Sequence, residues 1–162
     1  MDLGYGSLAS LARLRRYKSR RLSSYDRSGG NFDAITIAPG ESRLLGEIAG
    51  AGCVRHIWMT MMSMPEERYD LRQTVLRMFW DGEATPSVEV PLGDFFGIGF
   101  GLRRNFVSLP LQMSTQDGKG FNCWFPMPFA NGARFEVENQ GTQPRILFFY
   151  IDYEEHETCD PN

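Results

Sequence analysis

From residue 34 onward, runs of β-branched and aromatic residues are interrupted at intervals of roughly 8 to 20 residues by Gly, Pro, Asn or Asp. That punctuation limits the chain to short strands joined by tight connections, which pair most simply as antiparallel neighbours. "AITI" stops at "PGE", "RLLGEI" at "AGAG", and "LRQTVLRMFW" at Asp81-Gly82. "SVEV", "FVSLPLQM", "GFNCWFPM", "ARFEVEN" and "RILFFYIDY" complete the series with "CVRHIWMTMM". Uninterrupted alternation along the last of these puts Val54, His56, Trp58 and Thr60 on one face and Cys53, Arg55, Ile57 and Met59 on the other. "ARFEVEN" sends Phe135 and Val137 one way and Glu136 and Glu138 the other, so it has one wet face. "RILFFYI" is apolar on both faces, which predicts a central strand covered on both sides.

Eight or nine such strands predict an all-β fold, a single jelly-roll β-sandwich. At 162 residues the chain is sized for one domain with a core of its own. Residues 1–22 form a basic lead-in, partly helical because Leu8, Leu11 and Leu14 recur every third residue. The domain spans 23–154, and 155–162 is a polar tail. One connection, "PLGDFFGIGFGLRRN" (residues 91–105), is long enough to suggest a function or a packing role. Its glycines lack the spacing of a phosphate-binding loop.

A net charge of −3 makes no case for nucleic acid, although "LARLRRYKSRR" is dense in cations and the tail is acidic. Cys53, Cys123 and Cys159 are too widely spaced for a zinc site or a disulfide framework, and the first two sit in apolar runs as buried thiols. No stretch approaches the ~20 apolar residues of a membrane span, and no signal-peptide core follows the basic residues. The expectation is a soluble cytoplasmic protein with no membrane partner, no metal and no cofactor.

The carboxylates decide what chemistry is on offer. A retaining glycosidase needs two carboxyl groups about 5 to 5.5 Å apart. Glu136 and Glu138 share a strand face, where a solvated surface explains them as well. Asp81 and Glu83 flank Gly82 in a turn that Asp81 caps. Asp94, in the long loop beside Phe95 and Phe96, either holds the loop or accepts from a sugar hydroxyl. Trp58, Trp80 and Trp124 are either core residues or stacking platforms. His56 and His156 are isolated in the sequence, so no catalytic triad is supported. "SSYDRSGGNFD" (residues 23–33) fits no strand or helix period, and its Gly29-Gly30 pair permits unusual dihedrals. Asp26, Arg27, Asn31 and Asp33 either lock this loop through an Arg–carboxylate pair or present fixed donors and acceptors to a ligand.

Taken in order, "SSYDRSGGNFD", "HIWMT", "RMFWDGEATPSVEVPLGDFFG", "SLPLQMS", "GFNCWFPMPF", "FEVEN" and "FYIDY" resemble the N-terminal half of glycoside hydrolase family 172, over residues from about 20 to about 154. Ala51 departs from the proline usual at that turn. The resemblance implies the first of two consecutive jelly rolls in trimer-based oligomers, a shape also seen in viral capsid proteins. It also implies activity on fructofuranosyl or arabinofuranosyl linkages by a pair of glutamates in "GEGDE" and "GTEDY" motifs. Neither motif occurs in these 162 residues, so no catalytic residue is assigned. The expected role is sugar binding and homo-oligomer contact, with a furanoside-containing oligosaccharide as partner. The substrate-binding set is Asp26, Arg27, Asn31, Asp33, Trp58 and Asp94. The alternative is a non-catalytic carbohydrate-binding or assembly module on the same scaffold.

Overall fold

The computed structural model describes residues 14–157. They form a β-sandwich of two antiparallel sheets. The strands are β1 (Lys18–Ser23), β2 (Ile35–Ile37), β3 (Ser42–Ala49), β4 (Gly52–Ser63), β5 (Thr74–Trp80) and β6 (Val88–Pro91), followed by β7 (Phe106–Val107), β8 (Leu111–Met113), β9 (Phe121–Cys123), β10 (Met127–Phe129), β11 (Gly132–Asn139) and β12 (Arg145–Glu155). The larger sheet runs β1-β12-β4-β9-β8-β7, with β10 also on β4 and β2 also on β12; the smaller runs β3-β11-β5-β6. More strands form than the sequence predicts because β1 precedes the predicted series and two runs are split. "FVSLPLQM" folds at Ser108–Pro110 into the β7–β8 hairpin, and "GFNCWFPM" breaks at Trp124–Pro126 between β9 and β10.

Alternation drives the core. Ile57, Met59 and Met61 of β4 and Leu147, Phe149 and Ile151 of β12 point inward from the large sheet. Leu76, Met78, Phe135 and Val137 point inward from the small one and close a single cluster. Cys53 and Cys123 are buried free thiols, and burial pushes Cys123 up to about 11, which leaves it an inert core residue.

The lead-in departs from expectation in its second half. Leu8 and Leu11 lie outside the described residues, whereas Leu14 is 99% exposed and residues 14–17 are not helical. Lys18–Ser23 is a strand, not lead-in, because the acidic end of β12 offers it a partner. Arg20 and Lys18 pair with Glu155 and Arg21 with Asp152.

Strand β4 corrects a second expectation. Asp152 pairs with His56, but Tyr153 pairs with Val54, so Arg55 is an extra residue in a β-bulge. Alternation therefore resets there. Val54 faces the core, while His56, Trp58 and Thr60 face outward, apart from it. Strand β12 is central, yet its outer face is not covered as predicted: Phe148 is half-buried and Tyr150 is 38% exposed. Their cover is the side chains of neighbouring strands, not a further layer.

The long 91–105 connection packs against the body. It contains a short helix, α1 (Leu92–Phe95), and buries Leu92, Phe96 and Ile98. Arg103 ties it down, donating from two nitrogens to the buried Asp70 at 2.9 and 2.8 Å and to the Met61 carbonyl. At the same end of the sandwich the wholly buried Arg145 meets Glu67 at 2.6 Å and donates to Thr74 Oγ1 and the Gln143 carbonyl.

Candidate functional site

The 24–34 loop leaves β1 and returns as β2, both on the same edge of β12. Its shape comes from carboxylates bonded to its own backbone. Asp26 accepts from the Ser28 amide at 2.8 Å, the Ser28 hydroxyl at 2.6 Å and the Phe32 amide at 3.2 Å. The Ser28 hydroxyl first, then the amides, hold the Asp26 carboxyl below its ordinary value. Asp33 Oδ1 accepts from the Asp26 amide, and Ser24 Oγ joins the Asp33 carbonyl to the Phe149 amide. Asn31 sits at φ 64°, a left-handed position that asparagine tolerates.

Arg27 does not form the anticipated pair with a carboxylate in this loop. Its guanidinium lies 5.7 Å from the Tyr25 ring centroid. Between the loop and the β12 edge is an open cleft of about 410 Å³ lined by Tyr25, Asp26, Arg27, Phe32, Ile35 and Phe149, among others. The structure thus brings Asp26, Arg27, Asn31 and Asp33 together, with the two acids spent on loop geometry and the side chains of Tyr25, Arg27, Asn31 and Phe32 exposed.

Asp94 and Trp58 lie elsewhere. Asp94 is ion-paired with Arg72, and its neighbours Phe95 and Phe96 pack on the core rather than facing a ligand. Trp80 is packed between Phe129 and Phe135. Asp81 caps a turn, but not its own: Oδ1 accepts from the amides of Ala130, Asn131 and Gly132. Glu136 pairs with Arg134 at 2.8 Å and Glu138 with Arg77 at 2.6 Å, so each is held by its own arginine.

Trp58 belongs to a constellation that the sequence-based set does not contain. On the outer face of the large sheet, Arg21, Asp152 and His56 are successive cross-strand partners on β1, β12 and β4. Arg21 donates to Asp152 through Nε at 2.6 Å and Nη2 at 3.2 Å. His56 Nδ1 lies 3.2 Å from Asp152, and Nε2 lies 3.1 Å from Asn122 Oδ1 on β9. Burial pushes the Asp152 carboxyl up, and the hydrogen bonds from Arg21 and His56 more than offset it, leaving it below its ordinary value. The histidine that looks isolated in sequence is the middle of a four-residue row.

Aromatic rings accompany the row. Tyr150 and Trp58 are direct partners and stack at 5.0 Å, and the Arg21 guanidinium lies 4.4 Å from the Tyr150 ring centroid. Trp124 stacks on His56 at 5.2 Å with planes 13° apart, and remains 40% exposed. One sequence signal marks this face. "HIW", "NCW" and "YID" each place a planar polar side chain two residues from an aromatic, hence on the same side of a strand.

Among the described residues, no three His, Cys, Asp or Glu side chains gather to hold a metal. No helix there is long and apolar enough to cross a membrane.

No curated protein matches the sequence. Among solved structures, one titled "Structure of infectious bursal disease virus Gx strain" is similar over 91% of this chain, at 7% identity and a TM-score of 0.40. The chain spans 34% of that chain's length. The family described as GH172 domain-like matches over residues 31–147, from the end of the loop to the heart of β12. The chain therefore belongs to the GH172 domain-like family, and its sandwich is a glycoside-hydrolase-family scaffold.

Proposed function

We propose that this jelly-roll domain binds furanoside-containing oligosaccharide at the 24–34 loop and supplies recognition and homo-oligomer contacts for hydrolysis of fructofuranosyl or arabinofuranosyl linkages. The observation that carries the reading is the cleft beside a loop whose acids are already committed to its shape. A loop fixed in advance loses little entropy on binding. In this assignment Asp26 and Asp33 position the loop. Arg27 and Asn31 offer donors to sugar hydroxyls, and the exposed Tyr25 and Phe32 rings offer apolar faces. Trp58 and Asp94 are the outlying members of the proposed set.

Recognition is favoured over catalysis for these residues by the state of Glu136 and Glu138. Two carboxylates each neutralised by a separate arginine suit a solvated strand face better than a nucleophile and acid/base pair. Titration calorimetry with methyl α-arabinofuranoside and a difructose dianhydride tests the reading. Binding is expected to weaken several-fold in Arg27→Ala and Asn31→Ala, with the fold intact by circular dichroism. Affinity unchanged in both variants, or no binding heat for either ligand at millimolar concentration, refutes it.

A further inference from the structure

We infer that the outer face of the large sheet, from Arg21 across Asp152 and His56 to Asn122, is a second carbohydrate-contacting surface that takes successive rings of an extended, uncharged glycan chain. This rests on the reading that the domain binds carbohydrate, and it extends that reading from a cleft to a track. Ser23, which lines the cleft, is the direct partner of Tyr150, so the loop and the sheet face are contiguous. From β1 to β9 the row crosses three strand spacings, about 14 Å. That is too long for one ring and suited to several.

The chemistry selects the ligand class. Arg21 is neutralised by Asp152, and Arg15 and Arg55 are engaged by Glu154 two positions along β12, so among the described residues the row offers no uncompensated cation to a phosphate. What it does offer is planar groups with hydrogen-bonding capacity to spare. Arg21 uses two of its five N–H donors on Asp152, and the Asp152 carboxylate and the Asn122 amide hold further lone pairs and protons. An apolar ring face lies beside them on Trp124, and the Tyr150 ring, covered by Trp58 on one side and Arg21 on the other, leaves its rim exposed. Fixed planar polar groups interleaved with aromatic faces match a ring that has hydroxyls on its rim and C–H bonds on its face. The stacks also hold the side chains in place before a ligand arrives.

The test compares a polymer with a monosaccharide. Affinity electrophoresis of the full chain in gels containing a linear arabinofuranan or a fructan, with dextran as control, measures the polymer. Calorimetry with methyl α-arabinofuranoside measures the short ligand. Trp124→Ala and Tyr150→Ala are each expected to weaken polymer binding about tenfold and leave the short ligand within about twofold. Trp124→Phe, which keeps a ring, is expected to retain most of the polymer binding and guards against a trivial folding defect. Polymer affinity equal to the parent in both alanine variants overturns the inference. So does a Trp124→Ala variant that changes only the oligomeric mass by light scattering, which would make this face a protein interface. Arg27→Ala separates the two readings. If it leaves both ligands bound while Trp124→Ala loses the polymer, the sheet face stands and the loop assignment falls.

Discussion

The two outer faces of the sandwich obey the same alternation and are finished differently. On the small sheet, Arg77 bridges Glu89 and Glu138, and Arg134 pairs with Glu136 while its guanidinium lies 3.8 Å from the Phe79 ring centroid. Phe79 and Val75, which point outward there, are thereby buried. Long charged side chains cover the apolar residues with their stems and keep their heads in water. On the large sheet the single arginine of the row is stacked on a tyrosine and pinned by an aspartate, and the tyrosine and the tryptophan that stacks on His56 stay exposed. The first is a surface finished for solvent. The second is a surface on which aromatic area has been left uncovered, and that contrast is the reason to look for a ligand on one face and not on the other.

A wholly buried arginine sets the upper end of the scale on which the two faces can be compared. Arg145→Ala empties its site in the sandwich and removes hydrogen bonds to Thr74 and Gln143 and the ion pair with the partly exposed Glu67, and is expected to cost about 3–5 kcal/mol in urea unfolding. Asp152→Ala on the large face removes hydrogen bonds to Arg21 and His56 and is expected to cost about 1.5–3 kcal/mol. Glu136→Ala on the small face removes one partly exposed pair and is expected to cost about 0–1 kcal/mol. If Glu136→Ala proves as costly as Asp152→Ala, the proposed difference between a network and a collection of pairs is wrong.

The smallest effect should appear in acid. Because the folded Asp152 carboxyl titrates below its unfolded value, its contribution is present above the unfolded pKa, about 3.9, and is lost as pH falls through the folded one. Melting temperatures followed from neutral pH to below about 3.9 should therefore fall more steeply in the parent than in Asp152→Asn. Parallel curves would show that Asp152 is not coupled to folding in this way.

The strands themselves were largely legible, because alternation and turn residues are local signals. "ARFEVEN" displays its buried and wet sides in seven letters, and β11 follows them. The row on the large sheet was not legible in the same way. Arg21, His56, Asn122 and Asp152 are scattered over 131 positions and meet only through strand register, which depends on pairings between distant segments. Asp26 and Asp94 illustrate a different limit. A carboxylate in a glycine-rich loop has the same sequence appearance whether it accepts from its own backbone, pairs with an arginine or waits for a hydroxyl, and only the geometry tells these apart.

The extra residue at Arg55 has a consequence for reading relatives of this chain. Side chains along a strand carry a phase, and the bulge absorbs one residue without passing the shift downstream. In a homologue that lacks a counterpart of Arg55 but keeps the letters after it, Val54 and His56 would be consecutive, and plain alternation would still send Val54 inward and His56 and Trp58 outward. The same one-residue gap between His56 and Thr60 has no bulge to absorb it and would turn part of the row toward the core. For this surface, where a gap falls in an alignment therefore matters more than that it is there.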